Sequence, residues 1–331
     1  MEKMFSRKNL LRLVLVLSAG FFGVPQRTAA TPADDFVTDM TTDYGNIANT
    51  VNGPFSKSLG FFSTLGWNSP PGVFDLLLGP RVEVGVGAGA DFISIPGLNN
   101  LTSLAASAKD NLSLPSQVPI PFPVGTLRVG LFNGLDIGFR LSYLPQINLP
   151  DFGFAANYTG WGLDLRYKIL DGIQLPTLTV DASWDTMTGN VAFTTKVNQS
   201  GSYPDTHDST VYNADLTTTS TYALNWDVRS FGAKMTIGKD LGMIFPFAGV
   251  GFQRNSGTVS STMTSVGTVN ITSPSSSTSA ANFSVLSAAA PTVLEPKFVV
   301  GFNLGEGFKW SVIGESNGTD IAGSTSFGVQ F

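Results

Sequence analysis

The stretch Trp161-Gly162-Leu163-Asp164-Leu165-Arg166-Tyr167-Lys168-Ile169 decides the fold. Trp161, Leu163, Leu165, Tyr167 and Ile169 fall on one face of an extended chain, and Gly162, Asp164, Arg166 and Lys168 on the other. Only a period of two separates these residues into an apolar and a charged side, so the segment reads as a strand.

The same alternation spreads outward in both directions. Val82, Val84, Val86, Ala88, Ala90 and Phe92 alternate with Glu83, Gly85, Gly87, Gly89 and Asp91. Leu127, Val129 and Leu131 alternate with Arg128 and Gly130; Leu135, Ile137, Phe139, Leu141 and Tyr143 alternate with Asp136, Gly138, Arg140 and Ser142. Asn133-Gly134 and Asp171-Gly172 are hairpin signals. The apolar parity moves to Leu178, Val180, Ala182 and Trp184 after Pro176, where a bulge would tolerate the proline. Later strands carry Phe231, Met235 and Ile237, then Val250 and Phe252, then Phe298, Val300 and Phe302, then Phe308, Trp310 and Val312. Ten strands result, over 81–93, 122–132, 134–146, 156–170, 172–188, 220–238, 243–256, 295–304, 307–316 and 319–331. The number rises to twelve or more if Val191 to Val197 or Val259 to Ile271 add a hairpin within the wall; the same stretches are equally open to being strands that rise above the membrane.

Short turns alternate with long connections over 93–121, 186–222 and 255–295, and residues 256–287 hold 17 Ser or Thr in 32, which suits a solvated outer loop. Apolar and aromatic residues outside, polar residues inside, and short and long connections at opposite ends describe a transmembrane antiparallel up-and-down β-barrel. Closure removes the sheet edges that lipid does not tolerate. Composition agrees: 13% of the 331 residues are charged, against about 25% in soluble domains, and no stretch after residue 30 approaches the ~20 apolar residues of a membrane helix. With no Cys and one His, neither a disulfide framework nor a usual zinc site is available.

The end of the chain carries a resemblance. Phe327, Val329 and Phe331 at its terminus resemble the assembly signal of bacterial outer-membrane barrels, which implies the barrel-assembly machinery as a partner of the last strand. The segments Pro54-Phe55-Ser56-Lys57-Ser58-Leu59-Gly60, Leu141-Ser142-Tyr143-Leu144-Pro145-Gln146-Ile147 and Phe247-Ala248-Gly249-Val250-Gly251-Phe252 are similar to a family of predicted outer-membrane barrels of unknown function, which implies no activity. Long-chain fatty-acid transporters are similar in layout only, a barrel preceded by a segment able to plug it.

Residues 1–30 read as a cleaved signal peptide: Lys3, Arg7, Lys8 and Arg12, an apolar run from Leu13 to Phe22, and small residues before Ala30. Removing its net +4 from the chain's −5 leaves about −9, which disfavours a nucleic-acid partner. Residues 31–80 form a second unit. Thr31, Pro32 and Asp34 supply a helix start, and Phe36, Met40, Tyr44, Ile47 and Val51 then lie at helical spacing. This helix is either a periplasmic cap or a plug in the lumen, and the inner-face glycines Gly85, Gly87, Gly89, Gly130, Gly138 and Gly162 would leave room for the plug. Leu98, Leu101, Leu104, Ala108 and Leu112 give a weaker helical stripe in an outer loop.

The barrel, over 81–331, places Glu83, Asp91, Arg128, Asp136, Arg140, Asp164, Arg166, Lys168, Asp181, Asp185, Lys234 and Lys309 toward the lumen. Interleaved signs suit either a salt-bridge network or a weakly selective aqueous path. His207, between Asp205 and Asp208 in a polar loop, reads as a solvated side chain rather than a catalytic base, and no cofactor is expected. The expectations are therefore an exported outer-membrane barrel in contact with membrane lipid, passing small solutes, with an apolar small molecule as candidate ligand. The alternative is a structural or surface-interaction barrel acting through its Ser/Thr-rich outer loops.

Overall fold

The computed structural model describes residues 31–63, 82–94, 117–132, 134–150, 153–170, 175–204, 210–305 and 308–331. The expected signal peptide, the stripe over 98–112 and the His207 loop lie outside them. One helix, α1 (Pro32–Ser63), precedes twelve strands: β1 (Val82–Ser94), β2 (Gln117–Phe132), β3 (Leu135–Leu149), β4 (Phe154–Leu170), β5 (Thr177–Pro204), β6 (Val211–Gly238), β7 (Ile244–Ser273), β8 (Ser277–Ala280), β9 (Phe283–Ala289), β10 (Leu294–Leu304), β11 (Phe308–Ser316) and β12 (Ile321–Gln330).

Every pairing is antiparallel, and β1 to β7 followed by β10 to β12 close a ring of ten, sealed where β12 pairs with β1. At that seam Val82 and Phe331 exchange backbone N–H···O bonds of 3.2 and 2.9 Å. The terminal aromatics point outward, and Phe327 stacks with Trp310 and Phe308 at 6.1 Å between ring centroids.

Much of the two connections expected as outer loops, 186–222 and 255–295, is instead regular strand, the alternative left open for Val191 to Val197 and Val259 to Ile271. β5 and β6 stay in unbroken register from Thr177↔Gly238 to Pro204↔Val211. β7 follows β6 through Ile271, its lower edge pairing with β10 and its upper edge with β9 and β8. The high Ser/Thr content that suggested loops belongs to the solvated face of this sheet, where β-branched Thr is at home. The first strand of this hairpin starts at Thr177 rather than at 172. Around Gly134, whose φ is +80°, Phe132 opposes Leu135, and a bulge at Leu131 restores the parity of the two strands.

The two faces exchange character partway up each long strand. On β6 the outward residues Ile237, Met235, Ala233 and Phe231 give way to Arg229, Asp227 and Asn225, while the inward Lys234, Gly232 and Ser230 give way to Val228, Trp226 and Leu224. On β5 the exchange falls after Trp184 outside and after Asp185 inside; on β7 it falls after Phe252 outside. β4 changes between Trp161 and Thr159. Below this level the barrel is apolar outside and polar within; above it the sheet is polar outside and apolar within. The alternation never slips, so the environment changes rather than the register. The level is the membrane surface. From Trp161 to Ile169 the lipid-facing stripe runs about 27 Å along the strand, or about 21 Å in height at a tilt of about 40°, close to the ~25 Å band of such barrels. Trp161 and Trp184 mark its upper rim, edge to face at 4.9 Å.

The chain has no native cysteine to interfere with labelling. Two outward positions of β7 on opposite sides of this level should therefore behave differently in vesicles: Thr258→Cys is expected to react with a membrane-impermeant maleimide and Val250→Cys is expected not to.

Candidate functional site

The interior has a charged lower storey and an apolar upper one. In the lower storey the strand register stacks inward side chains in rows around the barrel. One row runs Glu83, Arg128, Gly138, Asp164, Ser183, Gly232, Gln253, Glu295; the next above the seam runs Thr126, Arg140, Gly162, Asp185, Ser230, Asn255. Burial in a wall this thin requires each charge to find a counter-charge. Lys309 Nζ lies 2.9 Å from Glu83, Arg128 reaches Glu83 at 3.8 Å and Asp164 at 3.6 Å, and Arg166 reaches Asp164 at 3.4 Å. Arg140 meets Asp185 at 2.6 Å, Lys234 meets Asp181 at 3.5 Å and Lys297 meets Glu315 at 2.8 Å.

Three of these pairs skip a strand, one of them joining Lys309 on β11 to Glu83 on β1 past Gly328 of β12. Arg128 on β2 bonds Asp164 on β4 across Gly138 of β3, and Arg140 on β3 bonds Asp185 on β5 across Gly162 of β4. A Cβ at Gly162 would stand 2.0 Å from Asp185 Oδ1. Gly138 and Gly162 therefore make room for ion pairs, not for the helix.

Of the residues expected in the lumen, Glu83, Arg128, Asp136, Arg140, Asp164, Arg166, Asp181, Asp185, Lys234 and Lys309 are all buried on the inner face. Lys168 is half-buried at its lower end, and Asp91 has its backbone in β1 while its side chain falls outside the described ones. Sequence parity could also have singled out Glu295, Lys297 and Glu315: they occupy the positions alternating with Phe298, Val300 and Trp310 but were not picked out. With them, seven buried acids face six buried bases among the described residues of the wall.

Helix α1 fills the upper storey. Thr31 caps it in a reciprocal box: its Oγ and N–H donate to Asp34 Oδ2 at 2.8 and 3.1 Å, and Asp34 N–H donates back to Thr31 Oγ. Phe36, Met40, Tyr44, Ile47 and Val51 are each at most 6% exposed, and the same face continues through Phe55, Leu59 and Phe61. They pack against Leu224, Trp226, Val228, Val259, Met263, Val269 and Ile271, the apolar inner face of the raised sheet. Tyr44 donates to or accepts from Ser220 at 2.8 Å and meets the Phe283 ring edge to face at 5.0 Å. Asn52 donates to Ser287, whose hydroxyl donates to Asn49.

The helix enters from the loop end. Ala33 N–H donates to Ser277 and Asp34 accepts from Ser279 near β8, whereas Phe61 at the other end lies under the Lys297 ammonium, 5.8 Å from its ring centroid. The segment left open between periplasmic cap and lumen thus lies inside the sheet, with its last turn on the charged belt. The Ser279 and Thr31 hydrogen bonds hold the Asp34 carboxyl below the usual carboxylate range.

No family model matches the sequence, and no curated protein matches it. Solved structures that resemble the chain are outer-membrane barrels. A Pseudomonas aeruginosa FadL homologue is 10% identical, with a TM-score of 0.29, 86% of this chain and 98% of that one being covered. The translocator domain of autotransporter NalP from Neisseria meningitidis is 9% identical at a TM-score of 0.34, covering 76% and 88%. The Ail protein of Yersinia pestis is 8% identical at 0.25, covering 77% and 100%. The chain is a barrel by its own strand pairing, closed where β12 meets β1.

Asp185→Asn strands a buried guanidinium and should cost about 3 kcal/mol or more in urea unfolding, with Gly162→Ala destabilising in the same assay. Because Asp34 is depressed in the folded state, its anchoring is complete above the ordinary carboxylate pKa and is lost as pH falls through the lowered value. Amide exchange in the first turn of α1, corrected for intrinsic rates, should accelerate on acidification in the native chain and lose that dependence in Asp34→Asn.

Proposed function

We propose that this outer-membrane barrel passes small apolar solutes passively and that α1 is its resting plug. The observation that carries the reading is the apolar inner face of β5 to β7, a chamber above the membrane whose lining is occupied by the side chains of a single helix. An apolar solute would find there the contacts that Phe36, Met40 and Ile47 now make, each worth about 2 kcal/mol when buried. The charged belt beneath supports a lumen closed to ions at rest, and its near balance of sign supports weak selectivity if it opens. A second reading, a surface-interaction barrel, is favoured by one observation: the outer face of the raised sheet is mostly polar, including Thr188, Asn190, Thr194, Thr258 and Thr268 and broken by the exposed Val266 and Leu286.

Locking the plug separates the two. Ala33→Cys with Ser277→Cys places a thiol on either side of the contact between α1 and the strand that caps it. In proteoliposomes the native chain should give no stable unitary conductance yet admit a small apolar solute such as an aromatic hydrocarbon. Oxidising the cysteine pair should abolish that entry, and reductant should restore it. Entry that is absent, or that ignores the lock, would overturn the transport reading. It would leave the polar outer sheet as the working surface, with loss of partner binding on deleting the hairpin tips as its own test.

A further inference from the structure

The outward face of β6 and β7 changes from apolar to polar through two arginines. On β6 the order is Phe231, Arg229, Asp227; on β7 it is Phe252, Arg254, Ser256. The register sets Phe231 opposite Arg254 and Arg229 opposite Ser256, so the two guanidinium-bearing positions are diagonal neighbours on one face. Both side chains are exposed, and among the described residues neither makes an ion pair. Arg229 lies in an outward row between Thr186 of β5 and Ser256 of β7, and Arg254 in the row of Trp184, Phe231 and Leu294. Two unpaired cations flanked by hydroxyls therefore stand directly over the aromatic rim. Asp227 is one outward position higher, on the aqueous side.

We infer that Arg229 and Arg254 bind the phosphate of an outer-leaflet lipid, with Thr186 as a flanking hydrogen-bond donor and Phe231, Trp184 and Phe252 against its acyl chains. The position argues for a lipid rather than a soluble anion, because the long-strand end faces outward in such barrels and these positions coincide with the level at which the wall leaves the apolar band. Arginine suits the task through its planar fork, which takes phosphate oxygens in pairs. On a chain this acidic, a local pair of unpaired cations at headgroup height is a specific feature rather than part of a basic field. The inference is independent of whether the lumen opens.

The test is lipid retention by the full chain, purified from vesicles of phosphatidylcholine doped with diphosphoryl lipid A and analysed by native mass spectrometry. The native chain should retain the phosphorylated lipid, and Arg229→Gln with Arg254→Gln should retain about tenfold less. Lys196→Gln, far above the rim, should change nothing, and the paired Arg→Lys variant should keep part of the binding. Heat-modifiable migration reports whether each variant is folded; should the double glutamine variant fail to fold, each single variant should show a smaller loss. Equal retention by native and glutamine variants, an equal loss in Lys196→Gln, or displacement of the lipid by millimolar inorganic phosphate would overturn it. The last result would make the pair a free-anion site.

Discussion

The ion pairs that reach over glycine along the inner wall are what the rest of this barrel depends on. A ten-stranded wall is narrow, and its inner face must be filled by side chains whose charges cannot reach bulk water. Pairing neighbours within a row would satisfy some of them, but Arg128 and Arg140 each find a carboxylate two strands away because Gly138 and Gly162 lower the wall between. Such pairs staple non-adjacent strands and tie barrel closure to correct register, since a slip of one residue would turn every charge into lipid. Their net contribution to stability is modest while their rupture is costly, which suits a network that specifies one arrangement.

Above the membrane the same strands face the opposite problem. Three strands of 28 to 30 residues rise into water, and their inner face, no longer lumen, needs an apolar partner. Helix α1 supplies it, and where it descends toward the belt Phe55, Leu59 and Phe61 are buried as well. Pro54 sits within that stretch without ending the helix, which is continuous from Pro32 to Ser63. The raised sheet and the helix are therefore one core, and the plug and the wall of the proposed chamber stabilise each other. A transport role asks this core to loosen locally; a surface role asks it to stay rigid.

The site was partly legible in advance. Alternation repeated from strand to strand placed ten of the buried charges on the inner face, and the spacing of Phe36, Met40, Tyr44, Ile47 and Val51 identified the face of α1 that is buried. Lys297, Glu295 and Glu315 carried the same parity and were open to the same reading. The partner choices were not legible: nothing in one strand's sequence says that Arg140 reaches past its neighbour to Asp185. The 17 Ser and Thr of 256–287 pointed to loop because composition resembles a solvated segment whether or not its backbone is paired.

What the sequence by itself determined is the wall: strand parity, the lipid-facing stripe, the closing aromatic end and the helical segment before the barrel. A side-chain period of two is a local property, written residue by residue, and needs no partner to be read. What only the tertiary structure decided is where polarity changes its meaning. Val228 and Phe231 are equally apolar, yet one faces the helix and the other faces lipid, because the environment on each side of the sheet depends on height above the membrane. That height, like the seat of α1 inside the raised sheet and the reach of an arginine over a glycine, is set by strands brought together from distant parts of the chain.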